Sequence, residues 1–150
     1  ALDLAATGAV AEGLGGARTM LAATVDHLRT RRQFGRLLGS FQALQHRAAQ
    51  MYIETELLAS SSTQAMVRAT DPDPDVRRRA VSAAKAQLAE SGTFVARQTL
   101  QLHGGIGMTD EHDVGLFFKR QLALEALFGD AEHHLARFAS LPSFGLPAQG

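Results

Sequence analysis

The chain has no cysteine in 150 residues, which excludes disulfides and thiol chemistry and fits a reducing compartment, the cytoplasm being the expected one. It also lacks a charge of one sign. Fifteen Lys and Arg cancel fifteen Asp and Glu, so there is no basic excess of the kind that marks a nucleic-acid binder. Long apolar runs are missing too: none approaches the ~18 residues that a membrane span requires. Asp3 interrupts the short N-terminal apolar stretch, so no secretory leader pattern is visible. Proline occurs at only four positions, two of them in the last nine residues. The length suits one domain, spanning residues 1–150 with a loose tail over 141–150, large enough to bury a core without covalent staples. A start at Ala1 without methionine reads as a piece of a longer protein.

What is present is helical periodicity. Val10, Leu14, Ala17, Leu21, Val25 and Leu28 recur at steps of three and four and draw one apolar stripe. Gly8, Gly13, Gly15 and Gly16 lie in the same segment, each costing ~1 kcal/mol against alanine, which suggests close approach by a neighbouring helix or subunit. Phe34-Gly35 and Gly39-Ser40 break the pattern, with Ser40 a candidate N-cap. A second stripe runs from Leu44 through Met51, Thr55, Leu58, Ser62 and Ala65 to Ala69. Asp71-Pro72-Asp73-Pro74-Asp75 ends it, because each proline disfavours helix in the residue before it, and Asp73 or Asp75 can cap the next helix. The third stripe takes Ala80, Ala84, Gln87, Ser91, Phe94, Gln98 and Leu102. A fourth helix can start at Thr109 or Asp110, carrying Val114, Phe117, Gln121 and Leu124, with Gly129 breaking it before a short last helix. Long helices are expected near residues 4–33, 41–70, 74–103 and 111–127, with a short one to about 140. The fold class is therefore all-α, an antiparallel four-helix bundle with long helices.

Two tracts go beyond periodicity. Gln101-Leu102-His103-Gly104-Gly105-Ile106-Gly107 puts a glycine turn at the end of an amphipathic helix, where the missing β-carbons permit positive φ and close approach of a ligand. Arg31-Arg32-Gln33-Phe34-Gly35-Arg36 is followed by Ser40-Phe41-Gln42. With Ala84-Lys85 and Phe128-Gly129-Asp130 they form an ordered set at family-like spacing, from about Leu4 to Arg137. The set resembles the C-terminal helical domain of the acyl-CoA dehydrogenases, flavoenzymes that desaturate acyl-CoA thioesters.

The resemblance implies an FAD lying between two subunits, with this domain serving its neighbour's site in a homo-oligomer or hetero-oligomer. An acyl-CoA is the implied substrate, and an electron-transfer flavoprotein or another acceptor takes the electrons. Arg31 would meet the FAD pyrophosphate, a role suited to a guanidinium that stays charged and pairs bidentately with phosphate. Phe34 would pack near the cofactor, although it can equally be a core residue at a helix end. Gln42 matches an adenine-side glutamine. Gln101, Leu102, His103, Gly104 and Gly105 match the stretch that lays backbone against the adenosine diphosphate half, His103 being more simply a packing or capping residue.

The catalytic base departs from the family pattern. In the commonest arrangement a glutamate in Tyr-Glu-Gly-Thr takes the thioester α-proton while the β-hydride goes to the flavin. Counting from the glycine turn puts Phe128, or with a one-residue slip Gly129, in that position. Neither accepts a proton, and Glu125 and Asp130 are the nearest carboxylates, with Asp130 the first substitute. The slot that another branch uses falls near Ala5, where Asp3 is the only acid close by. Three readings follow: a dehydrogenase with a relocated base, the non-catalytic subunit of a heteromeric one, or a helical interaction module without enzyme activity.

Other clusters carry less. Asp130, Glu132, His133 and His134 can present two ligands on one helix face, short of the three or four of a zinc site, so no metal is expected. Ser60-Ser61-Ser62 reads as a helix face of small residues, and Arg77-Arg78-Arg79 as a solvated helix start.

Overall fold

A computed structural model describes residues 1–104 and 113–142. Among the described residues six α-helices follow one another: α1 (Leu2–Thr30), α2 (Gln42–Arg68), α3 (Pro74–Gln87), α4 (Thr93–His103), α5 (Val114–Ala126) and α6 (Ala131–Ala139). α1 packs against α2, α3, α4 and α5, while α6 lies on α3. The core sits along α1, where Val10, Leu14 and Met20 meet Met51 and Leu58 of α2, Val95 and Leu102 of α4, and Leu124 of α5. The expected all-α bundle is the fold.

The elements differ from expectation in instructive ways. The first helix stops at Thr30 rather than near 33, because Arg31 turns extended and starts a small hairpin of β1 (Arg32–Gln33) and β2 (Arg36–Leu37). Arg32 pairs with Leu37 and Gln33 with Arg36, and both turn residues, Phe34 and Gly35, have positive φ, as a two-residue hairpin whose strands keep their twist requires. Ser40 does not cap α2; that position is Phe41, while the Ser40 hydroxyl donates to Leu37 O and accepts from Arg36 Nε. Asp73 does cap α3, accepting from Asp75 N at 2.8 Å, with Pro74 opening the helix where no amide proton is needed. The arginine run is only partly solvated, since Arg77 is half-buried and bonds the carbonyls of Asp71 and Pro72.

The third expected helix is divided by a π turn, Leu88–Gly92, between α3 and α4. A π turn holds one residue more than an α turn, so the buried face beyond it passes through Val95 and Thr99 rather than through the expected Phe94 and Gln98. Leu88, at the start of the widened turn, sits against α1, where a β-carbon on Gly13 would lie 2.3 Å from Leu88 Cδ1. Close approach thus explains Gly13, whereas among the described residues a β-carbon on Gly8 or Gly15 would have nothing within 4 Å. α5 is described from Val114; the proposed starts at Thr109 or Asp110, Gly105 and the rest of the glycine tract, and the tail from 143 on lie outside the described residues.

Candidate functional site

The end of α1, the hairpin, the start of α2 and the end of α4 enclose an open cleft of about 460 Å³. It brings together Arg31, Gln101, Leu102, His103 and Gly104 from the two sequence tracts, joined by His27 and Arg47. Arg31 reaches it because the helix ends one residue earlier and the chain runs extended from there. On the opposite wall, Gly104 leaves α4 with φ 61° and ψ −143°, and among the described residues no atom lies within 4 Å of where its β-carbon would be. Absence of a side chain here serves the backbone turn and leaves the wall open to a ligand.

Polar contacts fix the side chains between these walls. Arg47 Nε donates to Gln98 Oε1 at 2.8 Å, and its Nη2 donates to Gln101 Oε1. That bond orients the Gln101 amide with its oxygen toward Arg47 and its NH₂ as the end that can donate to a ligand. Buried His103 donates from Nδ1 to Thr99 O at 2.8 Å and stacks on His27, ring centroids 4.4 Å apart. His103 is thus a packed residue on the floor of the cleft. Phe34 and Gln42 are not among the lining residues. Phe34 is 88% exposed at the hairpin tip, which overturns the core reading, and its ring lies nearly perpendicular to that of Phe41, centroids 6.4 Å apart. Gln42 is exposed as the first residue of α2.

The turn at the family base position is a second locus. α5 ends at Ala126, Leu127 is extended, Phe128 and Gly129 have φ of 61° and 102°, and Asp130 caps α6 by accepting from His133 N at 2.9 Å. Lys85 Nζ, buried beneath, donates to Leu124 O (2.7 Å), Glu125 O (3.0 Å) and Leu127 O (2.7 Å). Burial pushes the Lys85 amine below its ordinary value, opposed by Glu125 and Asp130. His134, buried at the same turn, bonds Phe128 O from Nε2 at 3.0 Å and Ser82 Oγ at Nδ1 at 3.2 Å. Burial likewise lowers its pKa, against the hydrogen bond to Phe128. The nearby carboxylates are engaged: Glu125 accepts from Thr93 Oγ1, and Asp3 is paired with Arg137. Both His134 nitrogens are used within the protein, and among the described residues no group of three or more His, Cys, Asp or Glu is placed to hold a metal. No helix among them is long and apolar enough to cross a membrane.

Sequence reasoning missed His27, Arg47 and the partners of Lys85. The first two sit among the apolar positions of long helices without a motif. Lys85 had a signal, a lone cation between Ala84 and Ala86 on the buried stripe.

The family model for the acyl-CoA dehydrogenase C-terminal domain matches residues 1–140. The acyl-CoA dehydrogenase IpdE2 of Mycobacterium tuberculosis is 39% identical over 140 residues, covering 92% of this chain and 41% of that protein. Among solved structures, a variant of the Tcur3481-Tcur3483 steroid ACAD superposes with a TM-score of 0.86 at 37% identity, over 92% of this chain and 38% of that one. The ChsE4-ChsE5 complex from Mycobacterium tuberculosis gives 0.85 at 34% identity, over 95% of this chain and 39% of the other. The chain spans about two fifths of the length of these relatives.

Proposed function

This chain belongs to the acyl-CoA dehydrogenase family, as a C-terminal domain, and from that premise we propose that it completes an FAD site shared between subunits of an acyl-CoA-desaturating enzyme. The observation that carries the reading is the cleft, where the turn at Arg31 faces the helix end at Gln101–Gly104. The residues present suit a dinucleotide. Arg31 supplies a permanent charge for phosphate oxygens, the Gln101 amide a neutral donor, and Gly104 a wall along which a flat or extended group can lie. Arg47 holds Gln101 in register, and the His27–His103 stack closes the floor.

Bound there, FAD would supply the acceptor for the hydride that leaves the β-carbon of the thioester. The chain's own residues bind and orient; none in the described turn is free to take the α-proton. Phe128 and Gly129 have no basic atom, and the Asp130 carboxylate caps α6. A general base must come within ~3 Å of the proton it removes. The reading this favours is a subunit that shapes the flavin site while the base lies on a partner subunit or elsewhere in the longer protein. An electron-transfer flavoprotein or another acceptor would be the partner that takes the electrons.

The test is to purify the full-length protein alone and co-expressed with its genomic neighbours. Flavin absorbance with turnover only in the co-expressed form is expected. Flavin-free protein in both preparations would overturn the shared-site reading in favour of an interaction module.

A further inference from the structure

The turn after α5 is held from two sides by groups that a helical bundle has no need to bury. Phe128 is left-handed at φ 61°, which costs a non-glycine residue ~1–2 kcal/mol. Its carbonyl accepts from His134 Nε2, and the carbonyl before it, Leu127 O, accepts from Lys85 Nζ. Because a carbonyl only accepts, the His134 proton sits on Nε2, and Nδ1 of the neutral ring accepts from the Ser82 hydroxyl. Ser82 Oγ accepts in turn from Arg137 Nη1 at 3.3 Å, and Arg137 is held by both oxygens of Asp3. On the other side the Lys85 ammonium reaches three carbonyls, two in the last turn of α5 and one beyond it. Lys85 is 1% exposed. Burying an ammonium costs several kcal/mol, and a glycine ends a helix without that cost, so capping alone does not account for it.

We infer that Lys85 and His134 are positioning residues that lock the Leu127–Gly129 turn, so that the side chain at 128 meets the acyl end of the shared site in one orientation. This rests on the reading that the turn borders that site. The lock acts on main-chain carbonyls, so it works whatever side chain stands at 128.

The test uses the full-length protein with the subunits it co-purifies with, comparing Lys85→Met, His134→Leu and His134→Gln. The glutamine amide can donate near the place of Nε2, whereas leucine cannot. Hydrogen–deuterium exchange is followed in peptides covering the 126–131 turn and α2. In Lys85→Met and His134→Leu the turn should exchange about tenfold faster with α2 unchanged, and His134→Gln should restore slow exchange. Should Lys85→Met fail to fold, His134→Leu carries the comparison. Unchanged exchange in the turn, or equal acceleration in α2, overturns the positioning role. The kinetic arm measures kcat/KM for an acyl-CoA at constant flavin content, where a fall of about tenfold, recovered in His134→Gln, is expected. A loosened turn with unaltered kinetics leaves the lock standing but removes the turn from the site, so the two failures are told apart.

Discussion

Asp3 and Arg137 lie 134 positions apart and close the two ends of the described bundle on each other, Nη1–Oδ1 at 2.7 Å and Nη2–Oδ2 at 3.1 Å. Both side chains are about one quarter exposed. The pair joins the first turn of α1 to α6 and, through Ser82, leans on His134. An acid that the sequence offers as a distant candidate for a catalytic slot is instead tied into the frame.

The Arg137 guanidinium holds the Asp3 carboxyl below its ordinary value. A carboxyl depressed in the folded state contributes stability above its unfolded pKa of about 3.9 and loses it as pH falls through the lower folded value. Asp3→Asn should cost ~1 kcal/mol at neutral pH in urea unfolding, a discounted figure for a partly exposed bidentate pair. The gap between wild type and variant should narrow below about pH 4, and a constant gap would contradict the assignment.

His134 acts in a different window. Its pKa is lowered by burial, so the unfolded chain takes up the proton first as pH falls below about 6.5. The unfolded state then binds more protons than the folded one, and stability declines with falling pH. Thermal melts of His134→Gln across pH 5–7, a range chosen around the ordinary imidazole value of about 6.5, should show a flatter slope than wild type.

Arg31→Ala should weaken flavin retention in the full-length assembly, since a charge-assisted bond contributes ~1.5–3 kcal/mol. Among the described residues Gly104→Ala meets no atom within 4 Å, so its cost to folding there is that of the positive φ, ~1–3 kcal/mol. If the cofactor lies along that wall, the added methyl group lowers flavin occupancy by more than the loss of stability accounts for. Flavin-to-protein absorbance ratios after gel filtration read both effects.

Asp130 separates capping from catalysis. Asparagine caps a helix about as well as aspartate, so Asp130→Asn should keep the melting temperature while Asp130→Ala loses ~1 kcal/mol. With the base on a partner, Asp130→Asn also keeps turnover in the assembled enzyme. Abolished turnover with flavin still bound would make Asp130 the base.

The sequence by itself determined the helical class, the main helices to within a few residues, the break at Pro72–Pro74 and the motif order that marks the family. These are local or periodic properties: a stripe at steps of three and four, a proline that cannot continue a helix, a glycine that can take positive φ. Gly104 was legible as a glycine where a helix stops, whereas Arg31 was singled out by the family resemblance alone, the helix being expected to run on to about 33. Only the tertiary structure decided the rest. The π turn at Leu88–Gly92 goes together with the seating of Leu88 beside Gly13, and no propensity of Leu88-Ala89-Glu90-Ser91-Gly92 announces it. The Arg47–Gln101 bond joins residues 54 positions apart, and Lys85 finds carbonyls 39 to 42 positions away. Such partners are fixed by where packed helices bring side chains in three dimensions. A buried ammonium or imidazole is stable only once all of its hydrogen-bond partners are assembled around it.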